Sequence, residues 1–385
     1  MRQGWDELPL GQAPLKIIDG DRGKAYPKHG DFSDDGYCLF VSAANVTSSG
    51  FDFSECQFIS EQKDEELRKG RLSRQDVILT TRGTLGNAAL YGDDLSYDHI
   101  RINSGMVIIR ADPTKLLPAF LYGFLRSPGF KRQVEQLRSG VAQPQLPIRD
   151  INKIKLPLPQ KGVQERIVAV FTAYDGLIDN NRRRMALLEE AARQLYREWF
   201  VRLRFPGHEH TRITNGVPEG WERVPLGDRV TLNYGKALKA EDRSDGPCPV
   251  YGSSGIVGTH EKALALAPGI VVGRKGNVGS IYWCPKDYWP IDTVYFIDIE
   301  TSNLWLYYAL QYMHFTSTDV AVPGLNRDFA YSRPLLVPEP RIIRNFLETA
   351  VPLHEQIAKL DEMNEKLRAA RDLLLPRLMS GEIAV

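Results

Sequence analysis

Phe171, Tyr174, Ile178, Asn181, Met185, Leu188, Ala192, Leu195 and Trp199 follow one another at steps of three or four residues. Four heptads of that spacing predict a helix whose apolar stripe packs on another helix. Adding 179 to each number gives a second stripe: Ala350, Leu353, Ile357, Leu360, Asn364, Leu367, Arg371, Leu374 and Leu378. Each stripe holds one Asn, at places that do not correspond, because 181 maps onto Leu360. An Asn in such a seam costs stability but fixes register and partner. One stripe alone reads rather as an amphipathic helix inside a packed domain. Two stripes, each following a globular segment, predict two arms joined by an intramolecular coiled coil.

The repeat extends outward from the helices. Gly4-Trp5-Asp6-Glu7-Leu8-Pro9-Leu10-Gly11 matches Gly220-Trp221-Glu222-Arg223-Val224-Pro225-Leu226-Gly227 at five of eight positions, and each reads as a short strand closed by a turn at Gly. Between about Leu15 and Asp112, β-type runs alternate with turn residues; Tyr37–Val41, Asp76–Thr80 and Met106–Ile109 are the clearest strands. Glu61 to Lys69 reads as a charged helical stretch, and Pro118 to Leu137 as helix interrupted at Ser127-Pro128-Gly129. Arg82-Gly83-Thr84-Leu85-Gly86 follows the second of those strands. Its counterpart Lys275-Gly276-Asn277-Val278-Gly279, preceded by Arg274, follows Ile270-Val271-Val272. Ala142-Gln143-Pro144-Gln145-Leu146 and Ala321-Val322-Pro323-Gly324-Leu325 lead into Pro-rich extended exits ending at Pro159 and Pro338, which feed the two long helices. Pro352 is expected to kink or restart the second helix and Pro376 to close it.

The offset between copies falls from 216 at the Trp motif to 193 at the Gly loop and 179 at the helices, so the helical modules keep their length while the second globular module is 37 residues shorter. Two equal spacers therefore hold two unlike heads. The fold class expected is mixed α/β (α+β), with two globular domains separated by two long antiparallel helices in a pseudo-twofold internal repeat. Boundaries are expected at 1–143 for the first head, 144–205 for a central region with the first helix, 206–322 for a linker and the second head, and 323–385 for a C-terminal region with the second helix. Arg202 to Asn215 reads as the linker between halves.

At 385 residues, 43% hydrophobic and 25% charged, the chain has the composition of a soluble multi-domain protein. It has no run of about 18 apolar residues and no apolar signal core at its start, so neither a membrane span nor export is expected. Cys38, Cys56, Cys248 and Cys284 show no close pairing and suit a reducing, cytoplasmic setting. The formal net charge is +1, so DNA binding would need basic groups sorted onto one face, or a partner that shares the phosphate contacts.

Motifs for catalysis are missing. His208-Glu209-His210 is the only close pair among seven histidines, and no zinc-like Cys/His spacing, HExxH, GxSxG elbow, Walker A loop or Rossmann glycine pattern occurs. Asp112-Pro113-Thr114 is not the Pro-Pro-Tyr-like motif of a DNA methyltransferase. A recognition protein is expected rather than an enzyme, with no metal and no cofactor bound by this chain.

The two Trp-x-x-x-x-Leu-Gly openings, two Gly loops, two Pro-rich exits and two long helices resemble the specificity subunit of type I restriction–modification systems. Leu373-Leu374-Leu375-Pro376-Arg377-Leu378-Met379-Ser380-Gly381-Glu382-Ile383 is similar to that family's C-terminus, and Gln143-Pro144 through Gln164-Glu165-Arg166-Ile167 resembles its central conserved region. The resemblance implies that each head is a target recognition domain for one half of a bipartite sequence in double-stranded DNA. It further implies that the helices space the heads and dock two methyltransferase (modification) subunits, which bring S-adenosylmethionine and methylate adenine N6. Restriction subunits, with ATP and Mg, can join them. Each seam covers 28 residues, roughly 40 Å at 1.5 Å per residue, on the order of one DNA turn of about 34–36 Å. One departure is that Val322-Pro323-Gly324 stands where the first copy has Gln143-Pro144-Gln145, so a role for Gln143 does not transfer to Val322.

Glycines let backbone approach a ligand, and Arg suits bidentate guanine readout or phosphate contact. The candidate DNA-binding residues are therefore Arg82, Gly83 and Thr84 in the first head and Arg274, Lys275, Gly276 and Asn277 in the second. The alternative is a β-turn carrying surface cations. Tyr174, Leu188, Leu195, Ile357, Leu367 and Leu374 are expected to serve the spacer helices. Rival readings are a stand-alone DNA-binding protein, a scaffold whose two α/β heads bind proteins, and an enzyme with an unrecognised site.

Overall fold

The Trp-motif strands and the Pro-rich exits, expected as separate extended segments, pair with each other in the computed structural model, which describes residues 5–138, 144–313, 315, 324–383 and 385. Asp6–Pro9 runs antiparallel to Lys155–Leu158, and Glu222–Pro225 runs antiparallel to Pro334–Val337. Prolines are tolerated in such two-stranded ladders because an edge leaves their missing N–H unneeded. The motif's Leu is buried in both copies, and its backbone N–H donates 2.8 Å to Ile154 O or to Arg333 O. The Gly that follows admits a neighbour: a Cβ at Gly11 would lie 3.0 Å from that of Asn152, and one at Gly227 would lie 2.8 Å from that of Tyr331.

Contacts divide the chain into a first unit of residues 1–179 with 364–385 and a second of residues 180–363. In the first, a four-stranded antiparallel sheet has the order Leu15–Asp19, Met106–Ala111, Val77–Thr80, Ala88–Leu90. A three-stranded sheet sets Cys38–Val41 between antiparallel Phe58–Ile59 and parallel Ile100–Ile102. The second unit repeats both: Asn233–Tyr234, Val294–Ile297, Gly269–Gly273, Ile281–Cys284 in one sheet, and Cys248–Gly252 between antiparallel Gly255–His260 and parallel Trp289–Pro290 in the other. The heads expected to be unlike thus share one plan and differ in the segments between strands. The strands read from sequence are present, and the interrupted helix is two helices, Pro118–Arg126 and Pro128–Leu137, with the Ser127 hydroxyl accepting the Phe130 N–H at 3.1 Å. The charged stretch is shorter than expected, Glu61–Glu66.

The long helices are Lys161–Tyr196, extended by a π-helical turn Arg197–Val201, and Pro340–Met379. Every residue of both predicted seams is buried or half-buried. In the first unit Phe171 shares a core with Leu375 and Leu378, and Asp175 accepts from Arg371 at 2.5 Å. In the second, Tyr196, Trp199 and Phe200 pack edge-on against Phe346. Within the first unit, earlier residues of one helix meet later residues of the other, so the two segments run antiparallel there. Pro352 and Pro376 neither restart nor close the second helix. Each removes one hydrogen bond, and the carbonyls so freed belong to Glu348 and Asp372, exposed residues whose backbone water can satisfy.

Arg202 to Asn215 is not a free linker. Phe205 is buried against Trp221, with ring centroids 4.8 Å apart, and Ile213–Thr214 pairs with Val217–Pro218. Gln164, in the stretch resembling the family's central region, is a buried clamp. Its amide donates to Lys115 O and Pro159 O and accepts from the Leu117 N–H, all at 2.9 Å, locking the start of the first long helix to the helix at Pro118. The cysteines are free thiols, and burial with Asp64 nearby pushes Cys38 up to about 12. No described helix is long and apolar enough to cross a membrane.

Candidate nucleic-acid interface

The two Gly loops are the same structure built twice. Val77–Thr80 and Gly269–Gly273 are the buried strands that deliver them. Gly83 and Gly86 have φ of +71° and +82°, and Gly276 and Gly279 have +75° and +78°, a region open to Gly at little cost. The Leu85 N–H donates to Gly83 O at 2.9 Å and the Gly86 N–H to Thr80 O at 3.0 Å; Val278 and Gly279 repeat this onto Gly276 O at 3.0 Å and Gly273 O at 2.9 Å.

Each loop is also gripped from both sides. The N–H groups of Thr81 and Arg82 donate to Gly105 O (2.8 and 3.2 Å), and those of Arg274 and Lys275 donate to Thr293 O (2.9 and 3.0 Å). On the other side, Arg82 bridges to Gln145 and Lys275 to Gly324. Leu146 N–H completes the first grip on Thr81 O at 3.1 Å, and Leu325 N–H the second on Arg274 O at 2.8 Å. The segments entering the Pro-rich exits are therefore the loops' own braces. Gln143 and Val322 themselves lie outside the described residues.

The structure sorts the candidate side chains. Arg82, Gly83 and Thr84 are exposed, as are Lys275, Gly276 and Asn277. The Thr84 hydroxyl donates to Ala43 O at 3.2 Å, tying the loop to the segment after Cys38–Val41. Arg274 occupies the place of Thr81, not of Arg82. It is half-buried, with its guanidinium 5.0 Å above the Tyr234 ring and 5.6 Å from that of Tyr295, and Nη1 donates to Asp292 O at 3.2 Å. Such stacking holds a cation in place and leaves its edge free for an anion or a base.

Beside each loop lies a small polar cavity. In the second unit it measures about 250 Å³ and is flanked by Arg274 and Arg327, whose guanidinium also sits over Tyr234 at 5.2 Å. In the first it measures about 220 Å³, and Arg22 and Arg82 line it together with Asp19 and Gln145. Sequence reading does not single out Arg22 or Arg327 as site residues, because they lie far from the loops in the chain and carry no motif, and it places Gln145 only in the segment that leads into the Pro-rich exit. Tyr174, Leu188, Leu195, Ile357, Leu367 and Leu374 are half-buried in the helix seams.

A family model for the type I restriction modification DNA specificity domain matches residues 14–190, which span the first sheet, its loop, the exit strand and most of the first long helix. Over those residues the chain is similar to the type I restriction–modification specificity family. Full-length relatives agree. A specificity subunit of the HindI type I enzyme of Haemophilus influenzae is 22% identical over 98% of this chain and 99% of its own length. The MjaIX specificity subunit of Methanocaldococcus jannaschii is 21% identical over 85% of this chain and 82% of its own. The fold is also that of the type I S subunit from M. genitalium, with TM-score 0.53 at 16% identity over 98% of this chain and 97% of that one. The matched family is a DNA specificity domain, a recognition module and not an enzyme.

Proposed function

We propose that this subunit recognises an asymmetric bipartite DNA target, each unit contacting one half, and that its long helices dock two methyltransferase subunits. Those subunits use S-adenosylmethionine to methylate adenine N6 within the target, and restriction subunits that use ATP and Mg join the assembly to cleave unmodified DNA. The complex works in the cytoplasm. The observation that carries the reading is the loop presented twice on one plan with different side chains, Arg82-Gly83-Thr84 against Lys275-Gly276-Asn277. Equal scaffolds with unequal tips suit two different half-sites, since base identity is read by side chains at the tip while the frame only sets their register. The net charge of +1 suits a subunit whose partners share the phosphate contacts.

The test is methyl transfer from labelled S-adenosylmethionine to unmodified DNA. Methylation is expected only when the methyltransferase and this chain are both present. Equal incorporation without this chain, or none from an assembled complex, would favour the stand-alone or scaffold reading instead.

A further inference from the structure

The first unit holds a cavity of about 300 Å³ whose lining includes Gly86–Ala88, Ser48, Ser49, and side chains of the second long helix. Gly86 closes the first Gly loop, and Asn87 donates its amide to Val46 O at 2.9 Å, so the cavity adjoins both the loop and the hairpin that carries Ser48 and Ser49. Its charged lining is Arg126, Lys131, Arg368, Arg371 and Asp372. Asp175 binds Arg126 at 2.9 Å and Arg371 at 2.5 Å, and Asp372 binds Arg371 at 2.9 Å. Lys131 and Arg368 form no ion pair among the described residues. The cavity therefore presents two unmatched cations, one from the head's helix Pro128–Leu137 and one from the long helix Pro340–Met379.

The repeat does not copy this arrangement. Subtracting 179 from Arg368 and Arg371 gives Glu189 and Ala192, and adding 179 to Asp175 gives His354. Glu189 is paired with Arg193 at 3.4 Å, and burial lowers His354 to about 4, leaving it neutral beside the Tyr308 hydroxyl at 2.8 Å. A surface that docks two copies of one methyltransferase should occur in both halves of the repeat. The repeat positions of these helix cations in the other half carry Glu189 and Ala192 instead, so a basic cavity built on them beside one recognition loop has the character of a contact to the ligand that differs between halves.

We propose that Lys131 and Arg368 bind a backbone phosphate of the DNA read by the first head, so that the second long helix anchors DNA as well as joining the heads. Two cations on separate elements, beside an occupied Arg–Asp pair that fixes the floor, suit a phosphate's spread acceptors. The inference rests on the DNA-recognition reading above.

The experiment uses the subunit assembled with its methyltransferase, carrying Lys131→Gln with Arg368→Gln or Lys131→Gln alone. Labelled duplexes bearing the target or a scrambled sequence are titrated at several salt concentrations. The double variant is expected to lose affinity for both duplexes together, by about tenfold or more, with their ratio kept. The slope of log affinity against log salt should shrink by about 0.9 for each phosphate that is no longer neutralised. Lys131→Gln alone, on an exposed helix position, should show a smaller loss of the same kind with an unchanged melting temperature. Unchanged affinity and slope would overturn the proposal, as would loss of target affinity alone or loss of the methyltransferase from a folded subunit. Wild-type protein that binds both duplexes alike would instead overturn the recognition reading.

Discussion

Arg101→Ala is expected to destabilise the first unit by about 3–5 kcal/mol, the usual cost of stripping one partner from a buried ion pair. Arg101 lies in the parallel strand Ile100–Ile102, and both it and Asp64 are buried. Its Nε donates to the Asp64 carboxylate, Nη1 donates to Lys69 O at 2.7 Å, and Nη2 donates to Asp64 O at 2.6 Å and Leu67 O at 3.1 Å. One guanidinium thus closes the end of the helix Glu61–Glu66 and seats it on the three-stranded sheet. Truncation leaves a buried carboxylate facing Arg71 at 3.1 Å and Cys38, with three carbonyls short of a donor. Five of the six tryptophans, Trp199, Trp221, Trp283, Trp289 and Trp305, belong to the second unit, so fluorescence would miss the effect. Hydrogen exchange at Cys38–Val41 and Val77–Thr80 reads it directly, and a loss under about 1 kcal/mol there would contradict this account of the pair.

Arg82→Ala is expected to relax recognition of one half-site and Lys275→Ala that of the other, each with roughly a 10- to 100-fold loss of target affinity, equivalent to about 1–3 kcal/mol. The two residues hold corresponding places on loops with identical braces, and both are exposed. Removing either side chain leaves the backbone grips intact, so folding should not change. Arg274→Ala differs in kind: its guanidinium fills the space over Tyr234 and Tyr295, and its removal should perturb the wall of the second cavity as well as binding. The readout is the set of methylated sequences made with each variant. Degeneracy confined to one half per variant is the expected result, and equal degeneracy in both halves would contradict the assignment of one loop to each half-site.

The helix seams were legible because burial there follows from position in a 3.5-residue repeat, not from residue type alone. Leu177, Leu187 and Leu373 sit on the same two helices, fall off the seams, and are exposed, while Asn181 and Asn364 fall on the seams and are buried. The Gly loops were legible because positive φ selects Gly twice at the same spacing. What holds them was not, because Gln145 and Gly324 reach their loops across about 50 residues or more of chain, and no local pattern encodes such pairing. The same holds for Arg101 with Asp64, charges that look like ordinary surface residues until the fold brings them together, and for the partnering of Arg371, a seam residue, with Asp175. Pro352 does not restart the helix: a local rule for helix breaking yields when the freed carbonyl faces water and the seam on either side stays packed.

The most direct test of bipartite recognition is a methylome. The chain is expressed with its methyltransferase in a host whose DNA lacks such modification, and methylated adenines are mapped by single-molecule sequencing. One asymmetric motif in two parts, present only when this chain is expressed, is the predicted result. A soluble, associated pair that leaves no new motif, or a motif that persists without this chain, would contradict it.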